Sequence, residues 1–120
     1  MKIGVVGCNS RKDKDTVESL IVDLPDDSTI VSGGNDGVDS WAIEAARNRG
    51  LKTIELYPYI APPDSPAWEI KKSVKSHAKK IVENSEVIYA FPSEDVTDII
   101  SEIIKHAKRI SIPVEMVEVE

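Results

Sequence analysis

The chain has little cysteine and no long apolar run. One of its 120 residues is cysteine, so no disulfide can form within the chain, and we expect a reducing, cytoplasmic setting. No apolar run approaches the roughly 18 residues that a membrane-spanning helix needs. The N-terminal stretch MKIGVVGCNS lacks the long hydrophobic region of a secretory signal peptide. We therefore expect neither a membrane span nor a signal peptide.

Positive charge is also scarce. Lys and Arg number 15 against 21 Asp and Glu, which gives a net charge of −6. Because nucleic acids are bound through clustered cations, this balance disfavours a nucleic-acid partner. A small anion held by backbone amides is compatible with it. His77 and His106 stand singly, and no Cys, His and Asp set has metal-ligand spacing, so we predict no metal and no cofactor.

Strand-like and helix-like segments alternate along residues 1–120, which we predict to form one domain. The predicted strands are 3–6, 29–31, 53–56, 87–91 and 113–119, and the predicted helices are 17–24, 38–46, 70–82 and 96–107. This alternation predicts a Rossmann-like α/β three-layer sandwich with a mainly parallel five-stranded sheet and helices on both faces. The alternation does not determine the strand order, for which we take the common order 3-2-1-4-5. Ligands in such sheets bind outside the carboxyl ends of the strands, at the switch point, here between strands one and four.

Two adjacent glycines, Gly33 and Gly34, connect the second strand to the second helix. A tight turn there points unpaired amides outward, and glycine lets a phosphate come close to them. Alternatively, the glycines only supply the backbone angles of the turn. Asp36 and Asp39 favour this second interpretation in part, because they can cap the helix, and they would also repel an anion over its start.

The turn after the first strand offers a second anion-binding pattern. Gly7 ends the strand, and Ser10 and Arg11 follow. A guanidinium can bind two phosphate oxygens at once, but a solvated basic turn continuing into Lys12 explains the same residues. Cys8 has no evident histidine partner, and we interpret it as a small residue at the core edge rather than a nucleophile.

The third helix and the proline-rich loop before it carry two further features. Lysines on one face of the helix either line a site with positive charge or, as we expect, form a solvated surface. Tyr57, Tyr59 and Trp68 flank the loop and could stack a purine, although we expect them to hold the loop against the core. The lysines are Lys71, Lys75 and Lys79.

The stretches VVGCNSRK, IVSGGNDGVDSWAIEAARNRGL, VIYAFP and AKRISIPV together resemble the SLOG superfamily, which joins LOG-type and Smf/DprA-type proteins with small stand-alone YspA-like members. The match SGG-x-x-G-V-D-x-W-A carries most of this resemblance. It implies a Rossmann-like domain that binds a nucleotide or nucleotide derivative, and by analogy a homodimer. The ligand-binding residues it implies are Gly7, Ser10, Arg11, Ser32, Gly33, Gly34, Asp39, Pro92 and Thr97.

The chain departs from the LOG enzymes after the fourth strand. Those enzymes cleave the N-glycosidic bond of nucleoside monophosphates and carry P-G-G-x-G-T-x-x-E there. This chain has PSEDVTDII at 92–100, so Pro92 and Thr97 match while the glutamate becomes Ile100 and Glu94 adds negative charge. We therefore predict a small nucleotide-binding sensor or carrier without LOG-type hydrolase activity. The alternatives are a phosphoribohydrolase-like enzyme using Glu44, Asp39 or Glu94, and a DprA-like module associated with DNA.

Overall fold

Five strands form one sheet through the middle of the molecule. The structure, a computed structural model, describes residues 1–7, 11–34, 37–58, 61–92 and 98–117. The strands are β1 (Lys2–Gly7), β2 (Thr29–Ser32), β3 (Lys52–Glu55), β4 (Val87–Phe91) and β5 (Val114–Met116). The helices are α1 (Lys14–Val22), α2 (Val38–Arg49), α3 (Ala67–Glu83) and α4 (Asp98–Arg109).

The strand order is β3-β2-β1-β4-β5, and all four pairings are parallel. This confirms the predicted order and the Rossmann-like fold class. β1 lies at the centre, with Ile3 opposite both Ile30 of β2 and Val87 of β4. The predicted switch point therefore lies where expected, between β1 and β4.

Side-chain alternation along the central strands builds a core on each face of the sheet. In β1, Ile3 and Val5 pack with α1 and α2, whereas Val6 packs with α3 and α4. β4 alternates in the same way, with Phe91 on the first side and Ile88 on the second. Because successive strand residues point to opposite faces, apolar strands of this kind need helices on both sides.

Several element boundaries differ from the predictions. The third helix was predicted over 70–82, but α3 begins earlier, at Ala67, and Pro66 occupies its N-cap position. The extended ψ of Pro66 (154°) leaves its carbonyl to accept from the Glu69 and Ile70 amides. β5 is shorter than predicted, and Val96, the expected start of α4, lies outside the described residues.

Along the described ranges, none of the helices has both the length and the apolar character that crossing a bilayer requires.

Candidate functional site at the carboxyl edge

Four strand ends lie at one edge of the sheet. Gly7 ends β1 and lies opposite Phe91 at the end of β4, while Ser32 ends β2 opposite Glu55 at the end of β3. The described site residues that we predicted in the turns after β1, β2 and β4 are thereby brought to this edge. Ser10 and Thr97 lie outside the described residues, as does Cys8.

Asp39, in the first turn of α2, connects that helix to β1. Its buried carboxylate accepts a hydrogen bond from the Gly7 amide at 3.2 Å, and Asp39 makes at least one further interaction. The helix N-cap is Gly37, which has no side-chain cap. Asp36 lies outside the described residues, so capping of α2 by Asp36 and Asp39 stays a prediction. The carboxylate is directed at the end of β1, because the helix start lies beside that strand.

Ser32 has a similar joining role. Its hydroxyl oxygen lies 3.1 Å from the Val5 carbonyl oxygen and 3.3 Å from the Asp39 carbonyl oxygen, and its single proton can go to either. The side chain is fully buried. Ser32 therefore joins β1, β2 and the start of α2 beneath the glycine turn.

Packing explains why Gly33 carries no side chain. A Cβ atom there would lie 2.9 Å from Asp39 Oδ2 and 3.0 Å from His77 Cε1, both in buried side chains. His77 in turn bonds the Leu56 carbonyl at 2.6 Å through Nε2, which must be the protonated nitrogen because a carbonyl only accepts. Sequence reasoning missed this role of His77, which no spacing pattern indicates.

The backbone conformation of Gly34 explains why this position, too, is a glycine. Its φ of +75° is the left-handed conformation that glycine adopts without strain, and a Cβ atom would lie 2.6 Å from Cδ1 of Tyr57. Within the part of the chain that the structure describes, neither the Gly33 nor the Gly34 amide donates a hydrogen bond to another described residue. Both amides are thus candidates for a ligand at the start of α2.

Arg11 is buried, with 4% of its surface exposed. Its Nε donates to Asp13 Oδ1 at 2.7 Å and its Nη2 to Asp13 Oδ2, so the two carboxylate oxygens are held by one guanidinium. Nη1 lies 2.7 Å from the carbonyl oxygens of Pro92 and Val117, and the group lies 5.3 Å from the Phe91 ring centroid. Arg11 therefore joins the ends of β1, β4 and β5, and its predicted contact with phosphate stays a prediction.

This contact also changes the acid strength of Asp13. The hydrogen bond from Arg11 is the largest cause and lowers the pKa of the Asp13 carboxyl below its usual value. Partial burial opposes the shift but does not reverse it.

A cleft of about 390 Å³ opens beside the glycine turn, between α2 and the end of β3. Gly34 and Asp39 line one end, Glu44 and Arg47 the helix side, and Tyr57 the opposite wall. Glu55 and Asn48 also face it.

The aromatic side chains that flank the proline-rich loop do not pack against the core, contrary to our expectation. Tyr57 and Trp68 are each 67% exposed, and Tyr59 lies outside the described residues. The expectation that Tyr57 and Trp68 hold the loop against the core is wrong, because the core is already filled by aliphatic side chains from the strands and helices.

Lys71, Lys75 and Lys79 on α3 are all exposed, as a solvated surface requires, and Lys71 and Lys75 also line a groove. Among the described residues, no group of three or more His, Cys, Asp and Glu side chains is arranged to hold a metal ion.

Two solved structures share this architecture. The chain is similar to DNA processing protein A (DprA) from Streptococcus pneumoniae, with a TM-score of 0.62 and 18% identity over 97% of this chain and 58% of that one. It is also similar to the UDP-GlcNAc 2-epimerase from Neisseria meningitidis, solved with UDP-GlcNAc bound, with a TM-score of 0.52 and 15% identity over 98% of this chain and 32% of that one. No family model and no curated protein matches the chain.

At 18% and 15% identity these two likenesses show the Rossmann-like fold, and membership of the SLOG superfamily stays a prediction. The chain spans less than two thirds of the length of either neighbour.

Proposed function

We propose that this chain binds a nucleotide or nucleotide derivative at the carboxyl edge of its sheet and lacks LOG-type hydrolase activity. The observation that carries the proposal is the cleft of about 390 Å³ that begins at Gly34, beside amides with no bond to another described residue. Small-molecule sites are typically about 300–1,000 Å³, so this cleft suits a ligand of mononucleotide size.

In this proposal the phosphate binds at the glycine turn. The amides of Gly33 and Gly34 and the partial positive charge at the start of α2 favour an anion there. The negative charge of Asp39 opposes it, but that carboxylate is already engaged by the Gly7 amide. Ser10 and Thr97 are proposed to add hydroxyl donors, while the buried contacts of Ser32, Arg11 and Pro92 suit them to holding the turns in place.

The proposed lack of hydrolase activity is supported by Ile100, which stands where the LOG enzymes have a glutamate. Ile100 is buried in the core cluster that also contains Ile103 and Ala78. A side chain enclosed in this way cannot reach a glycosidic bond at the sheet edge.

Calorimetry and thermal-shift screening test the proposal with nucleoside mono- and diphosphates, sugar nucleotides and dinucleotides. We expect at least one to bind the wild type, and Gly34→Ala to weaken that binding at least about tenfold through the added methyl group. Gly50→Ala is the matched control, because Gly50 also has positive φ (84°) but a Cβ atom there meets nothing within 4 Å. If none of these four classes of nucleotide binds the wild type at millimolar concentration, the proposal is overturned.

A DNA-associated role is the second candidate, since one fold neighbour is named for DNA processing. The feature that favours it is a groove of about 310 Å³ between α3 and α4, whose lining includes Lys71, Lys75 and Lys105 together with Glu102. Because the net charge is −6, we expect no gel shift of single-stranded DNA at low salt. A shift that Lys71→Glu and Lys75→Glu abolish would favour this candidate over nucleotide binding.

A further inference from the structure

We propose that Glu55 recognises the ribose of the bound nucleotide by accepting a hydrogen bond from the ribose 2′-hydroxyl. The Tyr57 ring provides a flat surface beside the nucleoside. This inference rests on the proposed function and assigns the nucleoside half of the ligand to the cleft between α2 and β3.

Glu55 lies at the position in the chain where a ribose-binding acidic residue occurs in related folds. In dinucleotide-binding folds a strand, a glycine turn and a helix lead into a second parallel strand, and an acidic residue about 20 residues after the glycines bonds the ribose 2′-hydroxyl. Here β2, the Gly33–Gly34 turn, α2 and β3 make up such a unit. Glu55 ends β3 at the matching interval and lies in register with Ser32, immediately before the turn.

The orientation of the Glu55 carboxylate is fixed by two neighbouring side chains. Its Oε1 accepts from Arg47 and its Oε2 from the Tyr57 hydroxyl, and only 18% of the Glu55 side chain is exposed. Two donors therefore hold both oxygens at the cleft wall. A carboxylate has about four lone-pair sites, so these two contacts leave capacity for a ligand hydroxyl. Arg47 is 64% exposed and can shift without loss of core packing.

The Tyr57 ring lies directly over Gly34, yet 67% of the residue is exposed. An exposed aromatic ring beside a ligand cleft supplies a surface on which a base or sugar packs. The hydrogen bond to Glu55 raises the pKa of the Tyr57 hydroxyl, since the bond favours the protonated phenol as donor.

The charge of the cleft away from the glycine turn is negative. Glu44 and Glu55 line it, and Arg47 is the one cation among the described lining residues. Such a surface repels phosphate but accepts hydrogen bonds from hydroxyl and amino groups, which are the donors of a nucleoside. The ligand is thereby oriented, with its phosphate at the glycine turn and its ribose and base along α2.

The experiment compares ADP, GDP, CDP and UDP with their 2′-deoxy counterparts by calorimetry. For the wild type we expect at least one ribonucleotide to bind about tenfold or more tightly than its deoxy form, the size expected for one hydrogen bond to a charged acceptor. Glu55→Gln keeps the side-chain shape and should reduce the preference to a few-fold while the deoxy form binds as before.

Glu44→Gln is the matched control, because it removes the same charge from the same cleft without touching Glu55, and it should leave the preference unchanged. Equal binding of both forms by the wild type, or a preference that Glu55→Gln retains, overturns this inference and leaves the proposed function standing. Failure of all the ribonucleotides and deoxyribonucleotides to bind, alongside failure of the wider screen, overturns both.

Discussion

At the scale of single residues, the carboxyl edge depends on two buried charges with structural partners. Arg11 spans three strand ends, bonding Asp13 and the carbonyls of Pro92 and Val117. Asp39 holds the amide of Gly7 from the neighbouring helix. Each group is stable in the interior only because these partners replace water, so removing one partner leaves the other group without compensation.

Replacing Arg11 with Lys should therefore destabilise the protein. Lysine keeps the charge but cannot hold both Asp13 oxygens and two carbonyls together, and we expect a loss of about 2–4 kcal/mol in the free energy of unfolding. Urea denaturation measures this. Arg49→Lys is the matched control, since Arg49 bonds the Ile21 carbonyl and the fully exposed Asp26, and it should cost less than about 1 kcal/mol. Equal losses in the two variants would contradict the role given to Arg11.

The lowered pKa of Asp13 makes stability depend on pH. Because the pKa is depressed in the folded state, the Asp13 contact stabilises the protein above the unfolded value of 3.8, and the contribution is lost as the pH falls through the lower folded value. Asp13→Asn should cost about 1–3 kcal/mol at pH 7 and lose less stability than the wild type between pH 5 and pH 2. Parallel pH profiles for the two proteins would rule out this linkage.

At the scale of elements, the connection from β2 to α2 is the part of the fold most constrained by packing. Gly33 lies against the buried Asp39, His77 and Ile81, whereas Gly34 lies against the exposed ring of Tyr57. An added methyl group at Gly33 therefore meets buried side chains that cannot move aside, whereas at Gly34 it meets an exposed ring that can.

We expect Gly33→Ala to destabilise more than Gly34→Ala. Overpacking at Gly33 should cost about 2–3 kcal/mol, while Gly34 carries mainly the strain of positive φ, about 1 kcal/mol. Adding Tyr57→Ser to Gly34→Ala should recover less than about 0.5 kcal/mol, since the exposed ring can move aside. Thermal and urea unfolding of the three variants provide the comparison, and the reverse order of the two single variants would contradict the packing described.

At the scale of the whole molecule, the sequence was sufficient to predict the fold. Apolar strands alternating with amphipathic helices determined the layers, and the order β3-β2-β1-β4-β5 followed from the usual arrangement of such units. The location of the candidate site followed in turn, because carboxyl ends of parallel strands share one edge. Cytoplasmic location stays a prediction. Association into a homodimer also stays a prediction, and light scattering tests it.

The roles of particular side chains could not be predicted in the same way. Arg11 meets Val117 from 106 residues away and Pro92 from 81 residues away, and no local pattern encodes such contacts. From its spacing Asp39 could either serve a ligand or help to cap α2, whereas its hydrogen bond to the Gly7 amide of β1 depends on tertiary packing. The exposure of Tyr57 likewise depends on how completely aliphatic residues fill the core.

The most direct test of the central claim is an NMR titration that follows the amide resonances of the glycines. On addition of ADP, GDP, CDP or UDP, the account predicts saturable shifts that are largest at Gly33 and Gly34, with Gly50 unchanged. Inorganic phosphate should move the same two resonances at higher concentration. Saturable nucleotide binding that leaves the Gly33 and Gly34 amides unmoved and shifts residues elsewhere would contradict the claim that these main-chain donors hold the phosphate.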